Sequence, residues 1–207
     1  YGRLRGMVPA NTARIPRIPT QPGTRRVELE EIDAVLAVAR TIGPAATRQA
    51  LCARAAMLCT RRSTEIRART TAPGTAAGIE FVASKRKAGA AERRTTIEWS
   101  PQLKWTIDEA AATARKVDIS PFVFCTEDGR EYTRSGWGTS WRRLMLACLK
   151  QIDGFERFSL QDCRPAGVTN KKERGDSDTL DATLHADGRM VERIYDRRRT
   201  RKAKPAA

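Results

Sequence analysis

Apolar positions first become periodic at Ile32, Val35, Leu36 and Ala39, the spacing of one helical face, and Gly43-Pro44 ends that run. A second helix is predicted from about Thr47 to Cys59, with Leu51, Ala55 and Leu58 on one face, and it carries the chain to Arg61 and Arg62. Past Pro73-Gly74 the period shortens. Ile79, Phe81 and Ala83 alternate as a strand does, residues 85–92 read as a turn, and Arg94 to Trp99 return as a second strand, so a small ribbon with a basic tip is expected. Ser100-Pro101 opens a helix with Leu103, Ile107, Ala110, Ala111 and Ala114 inward, Ser as the cap and Pro at the first helical position. The apolar run Phe122 to Cys125 precedes a Glu127-Asp128-Gly129 turn. Thr133 or Ser135 then starts a helix whose face holds Trp137, Trp141, Leu144 and Cys148. Short helices follow at roughly Asp162 to Lys171, Asp178 to Leu184 and Gly188 to Asp196. The expected fold is mainly α with a small antiparallel β-sheet, an α+β domain over residues 27–196. Residues 1–26 are Pro-rich and aperiodic and read as an arm or leftover linker, and residues 197–207 read as a basic tail.

Composition adds a partner to this outline. The 207 residues carry 39 Lys and Arg against 24 Asp and Glu, a net charge of +15. Such an excess favours a polyanion, because each neutralised phosphate releases a counterion. Double-stranded DNA is the natural candidate; RNA or an anionic membrane surface is the competing one. No run approaches the ~18 apolar residues of a membrane-spanning helix. The basic start is followed by a Pro- and Thr-rich stretch rather than the apolar block of a signal peptide. Cys52, Cys59, Cys125, Cys148 and Cys163 are odd in number and never spaced Cys-x-x-Cys, which fits buried thiols in a reduced, cytoplasmic setting. With one histidine in the chain, no metal site is expected. Trp137 and Trp141, four apart, read as core rather than as a base-stacking platform.

Five short motifs remain: Arg62-x-x-Glu65, the ribbon tip with Lys87-Ala-Gly, Gln161-Asp-Cys-Arg164, Leu184-His185, and Tyr195. Each is ordinary alone, but their order and element types resemble the catalytic domain of the tyrosine recombinases, the phage integrase family, over about residues 27–200. The resemblance implies a site-specific recombinase of a phage or mobile element. It would cut and rejoin DNA through a 3′-phosphotyrosyl intermediate, without cofactor or metal, as a tetramer on its sites. Arg62 and Arg164 would each fork two N–H groups onto the scissile phosphate, a geometry lysine lacks. Glu65 would orient Arg62, and Asp162, two residues before Arg164, would support the site from behind. Tyr195 would attack phosphorus, and Lys87 would protonate the leaving 5′-oxygen, with Lys85 and Arg86 as close rivals that also sit where DNA passes. His185 would hydrogen-bond or position the phosphate.

Ser63 or Thr64 is expected to cap a short helix after Arg62, and Pro165 should lie in the first turn of the helix that carries Arg164, near a positive dipole end. Gln161 stands where the family usually has histidine. Its amide can donate to a phosphate oxygen but cannot exchange a proton near neutral pH. Residues 1–26 are too short for the helical domain that in the family clamps the other face of DNA, so the chain is expected to be part of a larger recombinase or a remnant of one. A weakened, DNA-binding relic is therefore the alternative reading. The tail residues Arg197, Arg198 and Arg199 are expected to contact DNA or to be solvated.

Overall fold

The structure is a computed structural model that describes residues 23–68, 75–83, 91–117, 120–185 and 187–198. Lys85, Arg86, Lys87 and Arg199 lie outside the described residues, as does most of the expected N-terminal arm. The end of that arm is tied down. Arg25 pairs with Glu31 (2.5 Å) and Arg26 with Glu173 (2.6 Å), so the residues just before Val27 are already docked on the domain.

Helix α1 (Leu29–Ile42) buries Ile32, Val35, Leu36 and Ala39 as their spacing requires. Helix α2 (Pro44–Leu58) begins earlier than its apolar pattern indicates, because Pro44 both stops α1 and serves as the first residue of α2. It is the central helix, packed by α1 and by the four helices that follow it, and every residue from Ala46 to Met57 is buried. A helix buried all round shows little amphipathic periodicity, and so the expected single face of Leu51, Ala55 and Leu58 understates it. Its two arginines bond within the protein, although Arg48 Nη2 and Gln49 Oε1 have no partner. The Arg48 guanidinium donates to the carbonyls of Cys125 (2.9 Å) and Ala114 (2.8 Å), and Arg54 pairs with Asp33 and donates to Thr106.

Helix α3 (Ser63–Arg67) leads to the two-stranded antiparallel ribbon of β1 (Gly78–Val82) and β2 (Arg94–Glu98), in which Gly78 faces Glu98 and Val82 faces Arg94. Ile79 and Phe81 alternate inward as expected. In α4 (Pro101–Ala112) the Ser100 hydroxyl accepts the Leu103 N–H (3.1 Å), the expected cap. Leu103 and Ala110 are buried; Ala111 and Ala114 are exposed, a correction to the predicted face. Thr106 is buried instead, since its hydroxyl accepts from Arg54 and donates to the Gln102 carbonyl. Helix α5 (Arg134–Gln151) is capped by Thr133 rather than Ser135 and inserts Trp137, Trp141, Leu144 and Cys148 into the core. Trp137 meets Tyr132 edge-on and Trp141 meets Phe158, which makes both tryptophans packing residues.

The rest of the chain is short helices: α6 (Cys163–Arg174), α7 (Thr179–Thr183), α8 (Gly188–Met190) and a π-helical turn over Val191–Tyr195. Gly167 of α6 crosses α2 so closely that a β-carbon there would lie 2.0 Å from the Met57 carbonyl oxygen. Backbone contact at that point sets the separation of α2 and α6. All five cysteines are free and buried. Among the described residues, no helix is long and apolar enough to cross a membrane.

Candidate active site

The expected site residues come from three chain segments that the α2–α6 crossing brings together. The first follows α2. Thr60 adopts a left-handed conformation (φ 52°), and the Arg61 N–H returns to the Ala56 carbonyl, which turns the chain sharply into α3. Arg62 occupies the N-cap position of α3; neither Ser63 nor Thr64 supplies the expected side-chain cap. Glu65 does that work from the third helical position. One carboxylate oxygen accepts the Arg62 backbone N–H (3.2 Å) and the other accepts from its guanidinium (3.1 Å). Arg62 is held by both its backbone and its side chain, yet remains 47% exposed toward an incoming ligand.

The second segment is the start of α6. Pro165 lies in the first turn, where its missing N–H costs no helical bond, and Arg164 stands just before it. The Arg164 side chain is 3% exposed and donates to the Thr183 carbonyl through Nη2 (2.7 Å). Its Nε and Nη1 have no hydrogen-bond partner. Burial lowers its pKa from the ordinary arginine value, while the nearby Tyr195 oxygen favours the charged form and Arg62 opposes it. The neighbouring Cys163 thiol is pushed up to about 12, first by burial, and is no nucleophile.

The third segment is the C-terminal turn. Leu184 ends α7 in a left-handed conformation (φ 53°) and aims His185 inward. Arg93 donates to the carbonyls of Leu184 (3.4 Å) and His185 (3.2 Å), clamping this strained corner to the base of β2. The two left-handed non-glycine residues among those described, Thr60 and Leu184, thus immediately precede Arg61 and His185. The Tyr195 ring centroid lies 5.2 Å from that of His185, and the Arg164 guanidinium carbon sits 5.0 Å from the Tyr195 ring. The Tyr195 carbonyl accepts from Thr169 (3.1 Å), which ties the π turn to α6.

Arg61, Arg62, Glu65, Arg164, Leu184 and His185 line a cavity of about 120 Å³, and Ala83, at the end of β1, reaches its rim. Burial, then the charges of Arg164 and Arg62, lowers the His185 pKa to about 4, so the imidazole is neutral at pH 7 and its Nε2 has no partner. The cavity therefore offers fixed cations, unpaired donors and one neutral ring, an arrangement built for a small anion. A larger groove of about 580 Å³ opens between β2, α4, α6 and α7, but Lys171 on its wall is already neutralised by Asp176 and Asp178.

The remaining expected residues distribute unevenly. Gln161 is exposed on the turn before α6 and is not part of the cavity wall. Asp162 accepts from Arg197 (2.9 Å) and from Ser159; burial opposes its ionisation, but these bonds outweigh burial and leave it below the usual carboxylate value. Arg197 also donates to the Arg25 carbonyl, and Arg198 pairs with Asp196 (2.7 Å), so both are turned onto the protein rather than outward. Two residues escaped the sequence reading. Arg61 and Arg93 each stand beside another arginine, in the pairs Arg61-Arg62 and Arg93-Arg94, and only the folded positions separate the members.

Two solved structures share this architecture. One is XerH site-specific recombinase bound to difH substrate in a pre-cleavage complex, with TM-score 0.54 and 18% identity over 84% of this chain and 50% of that one. The other is XerH bound to a palindromic difH substrate in a post-cleavage complex, with TM-score 0.54 and 18% identity over 83% of this chain and 49% of that one. The fold is that of a site-specific recombinase catalytic domain. The chain spans about half the length of the XerH chains. No protein-family profile and no curated protein matches the sequence.

Proposed function

We propose that this chain is the DNA breaking and rejoining domain of a site-specific recombinase of the tyrosine type, with Tyr195 as nucleophile. The observation that carries the reading is the convergence of Arg62, Arg164 and His185 on one cavity, with the Tyr195 ring packed against both Arg164 and His185. The scissile phosphate of a DNA strand takes the place of the anion. Arg62 and the two unpaired nitrogens of Arg164 hold its non-bridging oxygens, where charge grows as the pentacoordinate state forms. The Tyr195 oxygen bonds to phosphorus as the bond to the 5′-oxygen breaks, leaving a 3′-phosphotyrosyl link and a free 5′-hydroxyl. The phenol proton passes to the neutral His185 or to water, and Lys87 returns a proton to the leaving oxygen. Burial and then the charges of Arg164 and Arg62 hold His185 neutral; the arriving phosphate offsets the charge contribution, so its basicity rises when it is needed. The substrate is double-stranded DNA, the working assembly is a tetramer on paired sites, and a phage or other mobile element is the source that suits such an activity.

One observation favours a second reading, a DNA-binding relative without cleavage: Gln161 replaces the expected histidine and stands off the cavity wall. A pool of nicked duplexes with randomised cores separates the two. The nick lets the cleaved 5′-hydroxyl fragment diffuse away and traps the adduct. A covalent protein–DNA species that survives denaturation and is missing with Tyr195→Phe supports cleavage. Sequence-selective binding with no adduct at any core supports the second reading.

A further inference from the structure

Arg61 belongs to none of the expected motifs, yet its environment is the more unusual of the adjacent pair. Its side chain is 2% exposed, and neither Nε nor Nη2 has a hydrogen-bond partner. Among the described residues no carboxylate forms an ion pair with it; Glu65, whose charge acts on it, is engaged by Arg62. Its guanidinium carbon lies 4.6 Å from the centroid of the Phe81 ring. A cation stacked on an aromatic face recovers only part of what it loses on leaving water. Burial lowers its pKa to about 10, which still leaves it charged at pH 7. A buried cation with unmade bonds is a standing deficit in the free protein. The surrounding backbone enforces the position through the left-handed Thr60 and the Arg61 N–H bond to Ala56. The side chain also lines the cavity that Arg62 and Arg164 share.

We propose that Arg61 is a third phosphate-binding guanidinium: stacked on Phe81 and without an ion-pair partner among the described residues, it donates its unpaired N–H groups to the same phosphate as Arg62 and Arg164. This rests on the reading of the cavity as a phosphate site. Packing on an aromatic ring, rather than pairing with a carboxylate, leaves the whole charge available to the ligand. Placement before substrate arrives is what makes such a cradle effective, since no reorganisation is needed when the anion enters. A packing role alone leads elsewhere: an apolar side chain of similar length would then serve as well, and the cavity's affinity for anions would not change.

Inorganic phosphate tests this on the full chain without a target DNA sequence. Its dissociation constant is read from the rise of the thermal midpoint with phosphate, at ionic strength held constant with chloride. Wild type, Arg61→Met, Arg61→Lys and the remote surface variant Lys104→Met are compared. Arg61→Met should match or exceed the wild-type midpoint in chloride and bind phosphate about tenfold more weakly, the loss expected for one charge-assisted fork. Arg61→Lys should fall between them, and Lys104→Met should bind as wild type. Wild-type phosphate affinity in Arg61→Met overturns the proposal; should that variant not fold, unchanged affinity in Arg61→Lys does so. A wild-type chain with no affinity for phosphate overturns it together with the phosphate reading of the cavity. Phosphate binding that depends on Arg61, with no Tyr195 adduct on DNA, upholds it while removing the cleavage reading.

Discussion

At the scale of single residues, the cavity is defined by arginine nitrogens that the protein leaves without partners. Arg164 keeps two nitrogens without partners although it is almost wholly buried, and Arg62 is steered by Glu65 rather than neutralised deep in the core. Arg164→Lys retains the charge but loses the planar fork and the stacking on Tyr195. It should slow adduct formation by about 10²–10³-fold while changing DNA affinity far less, measured by single-turnover cleavage beside equilibrium binding. His185 gives a pH signature. Its folded pKa of about 4 lies below the ordinary ~6.5 of an unfolded chain. Between those values the unfolded state binds the extra proton, so stability should fall as pH drops from about 6.5 and the loss should level off near 4. His185→Gln removes that contribution; the difference in thermal midpoint between wild type and variant should therefore shift steadily against wild type through this window. A difference independent of pH would mean that His185 is not held neutral.

At the scale of elements, the crossing of α2 and α6 determines whether Arg61 and Arg164 face one space. Gly167 has no room for a methyl group against the Met57 carbonyl, whereas Gly138, in the exposed part of α5, has nothing within 4 Å of the same probe position. Gly167→Ala should destabilise by about 1–3 kcal/mol through overpacking. Gly138→Ala should stabilise by up to ~1 kcal/mol through lost backbone freedom in the unfolded chain. Chemical denaturation of the pair reads both signs. Most elements were legible because their periodicity is simple: α1, α5 and the ribbon each bury one face and announce it. Helix α2 was legible only in part, since a helix surrounded on all sides has no polar face to set its phase, and its start was hidden in the Gly43-Pro44 stop. The inward placing of Ala111 and Ala114 failed because alanine is indifferent to exposure, and α4 ends at Ala112. Arg62, Glu65, Arg164, His185 and Tyr195 were legible from motif order. Arg61 was not, because nothing in the string Thr60-Arg61-Arg62 tells which arginine turns inward; that is decided by the left-handed Thr60 and the Phe81 ring.

At the scale of the molecule, a net charge of +15 promises electrostatic attraction to any nucleic acid, and only the cavity promises chemistry. The two separate experimentally. Binding to arbitrary duplex DNA should weaken steeply with salt, and Arg62→Ala should flatten the log–log slope by about 0.9, the share of one phosphate contact. Arg197 and Arg198 should contribute little to that slope, since Asp162 and Asp196 already engage them. The most direct test of the central claim is to locate the covalent bond. Adduct trapped on nicked duplex is digested with nuclease and then trypsin, and the peptide Ile194–Arg197 is weighed by mass spectrometry. The expected finding is that peptide carrying a 3′-linked nucleotide on Tyr195. A trapped nucleotide on Tyr132 or on any other residue, with Ile194–Arg197 unmodified, is incompatible with Tyr195 as the nucleophile.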